Sequence, residues 1–170
     1  MKLIQAMKQI KDLVRKGDDL KGKVAQHCAH LSFETPTYGD KQREQVREWL
    51  QACEDINKEV LHLRVAVQKT NLQTPVTIEL GGKQVTKSIA EWIHRRRDLA
   101  KADMDAWTKL TDKGLKEGRG KNTMGEELDI KIVRNFDPAE RDAKVELYRS
   151  EPSIVDATLE VTNAVTDLIE

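Results

Sequence analysis

The sequence predicts a mainly α protein with a long antiparallel helical hairpin, two further long helices, a small β-hairpin and a third short strand. Three observations support this fold class. Apolar residues recur at a heptad spacing over residues 2–31 and again over 41–71. A Gly81-Gly82 pair separates two short segments of alternating polarity. Charged residues make up 34% of the chain and aromatic residues only 4%, which is typical of amphipathic helices with solvated outer faces.

The two heptad segments indicate the helical hairpin. The first stripe is interrupted only at Gly17 and Lys21, and it consists of Leu3, Met7, Ile10, Val14, Val24, Cys28 and Leu31. The second consists of Val46, Trp49, Cys53, Ile56, Val60, Leu63 and Val67. Pro36, Gly39 and Asp40 mark a turn between them. Two apolar stripes joined by a short connection are typical of antiparallel neighbouring helices.

The two cysteines lie on these stripes, so we expect both to be free thiols protected inside the helical seam. With a turn near Pro36, Cys28 and Cys53 are displaced by about 12 Å along the hairpin axis. A disulfide needs Cα atoms within about 7 Å, so a bridge is excluded in this register.

The remaining elements are predicted from turns and caps. Val76–Leu80 and Lys83–Thr86 form the hairpin around the two glycines, and a capping box of Ser88 and Glu91 opens a helix of about 27 residues. Alternation of Leu128, Ile130 and Ile132 predicts the third strand. Asp137-Pro138 begins the last helix, which Pro152 should kink or restart. We therefore expect one domain, 1–170, with a helical hairpin (1–72), a β-hairpin (75–87), a helix (88–116), a flexible loop (117–127) and a strand with a kinked C-terminal helix (128–170).

Composition excludes some classes of function. Lys and Arg total 29, and Asp and Glu also total 29, so there is no basic excess of the kind that a general nucleic-acid binder needs. No segment approaches the roughly 20 apolar residues of a membrane span. The N-terminal Met1–Gln5 becomes polar at once and does not resemble a signal peptide. We therefore expect a cytoplasmic protein.

The order of elements and the residues at their joints resemble a known family. The matching segments are Ile56-Asn57 through Lys69-Thr70-Asn71, then Gly82, Val85-Thr86, Ile89-Ala90, Arg97-Asp98-Leu99, and Asp129–Val133 leading into Asp137. They are similar to the septicolysin-like family, which includes deflagellation-inducible flagellar proteins. The chain differs from that pattern in a longer first hairpin and a Gly-rich loop at 114–126. The resemblance implies a helical protein, with a cytolysin in one relative and microtubule association in another, and it implies no catalytic residues.

Basic residues form the candidate ligand site. Arg96 lies on the predicted inward stripe of its helix, seven residues before Asp103. It either pairs with Asp103 inside the bundle or lines an anion site. For the second case, the predicted anion-binding residues are Arg95, Arg96, Arg97, Lys131, Arg134, Arg119 and Lys121.

Other motifs point to structure rather than chemistry. Gly120-Lys121-Asn122-Thr123 fails the phosphate-loop pattern because Leu115 replaces its first Gly and Asn122 its Ser or Thr. His27 and His30 have no second pair at zinc spacing, so no metal is expected. No nucleophile–base constellation or singled-out acid–base pair is present, and no cofactor is expected. Trp49, Trp92 and Trp107 fall on helix stripes and are predicted to lie in the core or at a subunit interface.

The sequence thus favours a non-enzymatic, homo-oligomeric helical binding protein. Long narrow stripes leave apolar surface that one copy hardly covers, which predicts a dimer or a higher assembly. The favoured function is sequestration of an anionic small molecule, such as a nucleotide, between helices or subunits. The alternatives are a coiled-coil scaffold or cytoskeleton-associated interaction protein and, more weakly, a cytolysin-like pore former.

Overall fold

The computed structural model describes all 170 residues and is mainly α with small β elements, as predicted. The helices and strands are α1 (Leu3–His27), α2 (Gln42–Gln73), β1 (Pro75–Leu80), β2 (Lys83–Ser88), α3 (Ile89–His94), α4 (Ala100–Thr108), β3 (Gly118–Lys121), β4 (Glu127–Ile130) and α5 (Pro138–Val165). A 3-10 turn (Gly39–Lys41) precedes α2, and a π-helical segment (Arg95–Leu99) joins α3 to α4. The chain forms two compact units, one of 1–75, 88–90 and 159–170, the other of 76–87 and 91–158.

In the first unit, α1 and α2 pack antiparallel. Gln9 near the start of α1 donates a 2.7 Å hydrogen bond to Glu59, whereas His27 at its end contacts Trp49, with ring centroids 5.5 Å apart. Increasing residue numbers in α1 therefore meet decreasing numbers in α2. The α2 side of this unit supplies a core of Trp49, Ile56, Val60, Leu63 and Ala66.

Gly17 is buried in this seam, although the sequence placed it as an interruption of the stripe. An ideal Cβ at Gly17 would lie 3.7 Å from Ile56 Cγ2, and the thiol of Cys53 lies 3.9 Å from the Gly17 carbonyl oxygen. The space between the two helices at Gly17 therefore accepts a methyl group but not a large side chain. The half-buried neighbours on α1 are Leu13 and Leu20, so the predicted inward position of Val14, which is exposed, is wrong.

The predicted extension of the first helix to residue 31 is also wrong. The helix ends at His27, with Cys28 as its C-cap, so Leu31 and Cys28 are both exposed. Both cysteines are free, but Cys28 is not a protected core thiol, and Cys53 is half-buried. Cys28 and Leu31 fit the heptad spacing although they lie after the last residue of α1, so the spacing alone does not mark the end of the helix.

The chain termini are tied together in the first unit. Leu3 N donates to Thr166 O (2.9 Å) and Leu168 N donates to Met1 O (2.8 Å), while Lys2 Nζ lies 2.9 Å from Asp167 Oδ1. The hydrogen bond and charge of Lys2 lower the pKa of Asp167. The C-terminal residues also reach α2, because Ile169 N donates to the hydroxyl of the buried Thr70.

In the second unit, the β1–β2 hairpin turns at Gly81 and Gly82, whose φ angles of +57° and +76° favour glycine. A Cβ at Gly81 would lie 3.2 Å from Leu147 Cδ1. The indole of the fully buried Trp92 donates a 2.9 Å hydrogen bond to Val76 O. The turn sequence and a buried aromatic anchor therefore account for this hairpin.

The predicted flexible loop at 117–127 contains a strand. β3 pairs antiparallel with β4, with Gly118 opposite Ile130 and Lys121 opposite Glu127. The turn between them is held by Asn122, whose side-chain oxygen accepts hydrogen bonds from the backbone of Met124 and Glu126. The glycine-rich composition of this segment predicted a flexible loop, so β3 was not expected. β4 ends at Ile130, so Ile132, which was predicted to belong to this strand, lies outside it.

The last helix begins as predicted and continues past Pro152. Ala139 N donates to Asp137 Oδ1 (2.9 Å), and α5 runs unbroken from Pro138 to Val165. Pro152 therefore does not restart it. None of the helices is long and apolar enough to cross a bilayer.

Substitutions at Gly17 test the close packing of α1 and α2. The ideal Cβ makes ordinary contact, so Gly17→Ala should stabilise the protein by up to about 1 kcal/mol through helix propensity. Gly17→Leu should destabilise it by about 1–3 kcal/mol, because the larger side chain meets Ile56. Urea denaturation measures both changes. Equal tolerance of alanine and leucine would contradict a tight seam.

The pairing of the termini should produce an acid-sensitive contribution to stability. The pKa of Asp167 is lowered in the folded protein, so its contribution is present above about pH 3.9, the unfolded value, and is lost as the pH falls through the folded pKa. Melting temperature should therefore fall more steeply between pH 5 and pH 3 in the wild type than in Asp167→Asn. Parallel curves for the two proteins would show that this ion pair contributes nothing.

Candidate functional site

The predicted basic site is reorganised by the π-helical segment. A π turn holds more residues than the 3.6 of an α-helix, so side chains within it depart from the faces that a constant α-helical period assigns. The inward positions are Trp92, Arg95 and Ala100, with a five-residue step across Arg95–Leu99. The predicted inward position of Arg96 and its pairing with Asp103 are therefore wrong. That prediction extended a constant α-helical period through a segment that does not have it.

Arg95 occupies the partly buried position instead. Its Nε and Nη2 each lie 2.7 Å from one carboxylate oxygen of Glu151, and its Nη1 lies 2.5 Å from Asp103 Oδ2. Glu151 is only 2% exposed, and the Arg95 guanidinium stands 5.7 Å from the ring centre of Tyr148. Hydrogen bonds from Arg95 to Glu151, and then to Asp103, raise the pKa of Arg95. Both forks of the guanidinium are thus occupied by carboxylates.

Most of the other predicted anion ligands also have acidic neighbours. Arg96 pairs with Asp156, Arg97 with Asp98, and Arg134 forms two 2.7 Å bonds to Asp112, which lower the pKa of that carboxyl.

On the second hairpin, Arg119 lies opposite Asp129 and Lys121 opposite Glu127. Cross-strand partners of opposite charge attract each other. Lys131 follows β4 and is exposed. The structure therefore does not bring the seven residues together as free cations.

A different cleft lies at the end of the helical hairpin in the first unit. It has a volume of about 770 Å³, is open to solvent, and lies within the size range of small-molecule sites. Its walls come from the end of α1, the connection and the first two turns of α2. The residues that matter for recognition are His27, His30, Glu34, Asp40, Arg43 and Arg47.

Gln42 fixes the shape of this cleft. Its side-chain amide donates a 2.9 Å hydrogen bond to His27 O and accepts a 3.0 Å bond from Tyr38 N. The end of α1, which would otherwise leave carbonyl groups unsatisfied, is thereby tied to the connection and to α2. Glu34 adds a local cap, because its carboxylate accepts a 2.8 Å bond from Leu31 N.

Three aromatic rings pack against one another beside the cleft, and of these His27 lines it. The centroids of His27, Tyr38 and Trp49 lie 5.5–5.6 Å from one another, and the two contacts of Tyr38 are edge-to-face. Such geometry adds to the stabilisation from apolar burial. Trp49 is buried, as predicted for a core tryptophan. The segment between α1 and α2 contains only a short 3-10 turn, and the packing of Tyr38 against His27 and Trp49 holds it in place.

Arg43 and Arg47 supply the charge of the cleft. They lie four residues apart, and so on one face of α2, and both are exposed. Neither forms an ion pair within the chain, in contrast to the predicted arginines of the second unit. The site predicted from sequence does not include them, because they do not belong to a run of basic residues. The available signal was the i, i+4 spacing directly after the Pro36–Asp40 turn.

The cleft also contains residue types that bind metals, but their arrangement does not form a metal centre. No group of three or more His, Cys, Asp or Glu side chains is placed to hold an ion anywhere in the 170 residues. His27 is engaged with two aromatic rings, and the thiol of Cys28 is directed to Ala25 O at 3.5 Å.

A family model described as a family of unknown function, DUF6847, matches residues 11–168. The chain belongs to this family. No curated protein matches it. Because neither this family nor the solved structure below bears on septicolysin-like proteins, that resemblance stays a prediction.

A solved structure shares the fold of this DUF6847 member. It is described as the crystal structure of a functionally unknown conserved protein from Corynebacterium diphtheriae, and it superposes with a TM-score of 0.57. The alignment covers 99% of both chains at 20% identity. At that identity the likeness concerns the architecture alone.

The different environments of Arg95 and Arg96 lead to a test of the ion cluster. Arg95→Met leaves the buried Glu151 without its partner and should cost roughly 3–5 kcal/mol. Arg96→Met removes an exposed pair with Asp156 and should cost roughly 0–1 kcal/mol. Urea denaturation compares them. Replacing Arg95 and Glu151 together by methionine should restore most of the loss, and equal costs at the two arginines would contradict the assigned burial.

Proposed function

We propose that this protein is a non-enzymatic binding protein that holds an anionic small molecule, with a nucleotide as the first candidate, in the cleft between α1 and α2. The observation that carries the proposal is the pair of exposed arginines, Arg43 and Arg47, which have no carboxylate partner and line the same cleft. The proposed location differs from the basic cluster predicted from sequence, although the proposed class of ligand is the same.

Arginine suits this role for geometric reasons. Its planar guanidinium presents parallel N–H donors that match a carboxylate or phosphate, and it stays charged at every relevant pH. Two such groups one helical turn apart can hold two oxygens of one anion or two phosphates of a chain. Free donors are necessary, because a guanidinium already paired with a buried carboxylate, as in Arg95, has little to offer a ligand.

The other residues of the cleft favour a ligand that has hydrogen-bond donors in addition to a negative charge. His27 and His30 add ring nitrogens, whereas Glu34 and Asp40 place carboxylates on the same walls. Asp40 is exposed in the 3-10 turn directly before α2. An acceptor near a set of cation donors fits a molecule that carries both an anionic group and N–H or O–H donors. A nucleotide has this combination on separate parts of one molecule, because its base amino and ribose hydroxyl donors lie apart from its phosphates.

Thermal shift and calorimetry test the proposal with ATP, AMP, inorganic phosphate and citrate as probes. A nucleotide should raise the melting temperature saturably, since a ligand at 100 times its Kd stabilises a protein by about 2.7 kcal/mol. Arg43→Gln with Arg47→Gln should weaken nucleotide binding at least tenfold. The matched control, Arg15→Gln with Arg149→Gln, removes the same charge from two exposed i, i+3 pairs and should leave binding unchanged.

Two results would overturn the proposal. One is a wild type whose melting temperature ignores every probe. The other is an equal loss of binding in the control pair, which would show that net charge rather than the cleft attracts the anion. The scaffold and cytolysin alternatives remain predictions, since the cleft geometry does not bear on them.

A further inference from the structure

A second hollow lies beside the cleft in the first unit. It has a volume of about 530 Å³ and is open to solvent. The residues that line both the hollow and the cleft are His27, His30, Glu34, Thr35, Pro36 and Gln42. Arg43 and Arg47 line only the cleft, whereas Gln26, Ala29 and Thr37 line only the hollow. The two spaces therefore meet at a common wall.

The hollow is lined mainly by side chains that form hydrogen bonds. Gln26, Thr35 and Thr37 are exposed, and their side chains make no hydrogen bond within the chain. A hydroxyl or an amide group both donates and accepts, which matches the donor and acceptor capacity of a sugar hydroxyl. No Phe, Tyr or Trp lines the hollow, and its only aliphatic residues are Ala29 and Pro36. A planar base, which binds by stacking on aromatic rings, fits this lining less well than a polyhydroxyl group does.

Two polar side chains on the common wall are already oriented by the fold. One carboxylate oxygen of Glu34 accepts the 2.8 Å bond from Leu31 N, which leaves the other oxygen to accept a bond from a ligand hydroxyl. The Gln42 amide accepts from Tyr38 N and donates one N–H to His27 O, so its second N–H is available to a ligand. Groups that are held in place before binding lose less conformational entropy when the ligand arrives.

The hollow and the cleft attract different parts of a ligand. The hollow lies at the end of α1, where the last carbonyl groups of a helix carry partial negative charge, and Glu34 adds a full negative charge. These groups attract O–H donors and repel phosphate. Arg43 and Arg47 stand on the α2 side and attract phosphate. A ligand with both kinds of group is therefore favoured in one orientation, with its hydroxyls at the end of α1.

We propose that the ligand of this protein is a phosphorylated sugar, held by its phosphate in the cleft and by its hydroxyl groups in the hollow. The inference rests on the anion cleft proposed above and narrows its ligand to compounds that contain a sugar phosphate. A nucleotide belongs to this class through its ribose, and a free sugar phosphate belongs to it as well. The site recognises the sugar hydroxyls rather than the base.

Calorimetry on the whole chain tests the inference with ribose 5-phosphate, AMP and methyl phosphate. Ribose 5-phosphate should bind at least about fivefold more tightly than methyl phosphate, because it adds hydroxyl contacts to the same phosphate monoester. AMP should bind no more than about tenfold more tightly than ribose 5-phosphate, since a stacked base would add more than that. These two compounds represent a nucleotide and a free sugar phosphate, so their order of affinity distinguishes the two sources.

The outcomes separate this inference from the proposed function. A smaller preference for ribose 5-phosphate over methyl phosphate, or a larger preference for AMP over ribose 5-phosphate, overturns the sugar assignment and leaves the anion cleft in place. If none of the three compounds binds, the anion cleft itself is wrong and the sugar assignment falls with it.

Variants in the hollow test where the hydroxyls bind. Thr37→Val keeps the β-branched shape and removes one hydroxyl, so it should weaken ribose 5-phosphate binding about two- to tenfold and leave methyl phosphate binding unchanged. Glu34→Gln keeps an oxygen for Leu31 N but loses the negative charge. It should weaken ribose 5-phosphate binding and strengthen methyl phosphate binding, because a charge that repels the anion is gone.

Thr123→Val is the matched control, because Thr123 is an exposed threonine in the turn of the second hairpin, between β3 and β4. It should bind both compounds like the wild type, and melting curves check that all three variants fold. Equal changes in the binding of the two compounds by Thr37→Val and by Glu34→Gln, including no change, contradict the placement of the sugar in the hollow.

Discussion

The close packing of α1 against α2 is the constraint on which the proposed binding cleft depends. The small residue at position 17 leaves room for Ile56, and the inward face of α2 packs against α1. The hairpin must then end where the helices diverge, and the connection there is held by Gln42 and the ring of Tyr38. The cleft forms where the α1–α2 contact ends. Because Gln42 anchors the first turn of α2, Arg43 and Arg47 are held at the wall of the cleft.

Elements defined by local stereochemistry were predictable from the sequence. Gly81 and Gly82 adopt positive φ angles, which is what the glycine pair indicated, and Asp137 caps α5 through its side chain. Each of these signals depends on residues adjacent in sequence, so no tertiary information is needed. The end of α1 at His27 has no such signal, because the heptad pattern continues to Leu31 beyond it.

The position of Arg95 shows a second limit. The predicted stripe assumed 3.6 residues per turn, whereas the π-helical segment places Arg95 rather than Arg96 inward, and Ala100 and Trp107 after it keep their predicted inward positions. No composition or spacing in Arg95–Leu99 marks such a segment, since its energetic support is non-local. Arg95 bonds Glu151, 56 residues away, and the carboxylate is buried beside Pro152. A buried pair of this kind compensates two desolvation penalties only when its geometry is good, and the two 2.7 Å bonds supply that geometry.

Arg95 and Arg43 differ in whether the guanidinium is already paired with a carboxylate. Arg95 is paired within the fold, whereas Arg43 is free to bind a ligand. Sequence places arginines on helices but does not show which have carboxylates within reach, because those partners come from other segments of the chain. In the second unit, long-range partners such as Glu151 and Asp156 meet the arginine run and neutralise it. At the hairpin cleft, the neighbouring carboxylate of Glu34 is engaged by Leu31 N, and Arg43 and Arg47 keep their donors exposed. A guanidinium contributes to recognition in proportion to the donors it has left, so the unpaired i, i+4 arginines, rather than the conspicuous triple-arginine run, mark the place where an anion is best held.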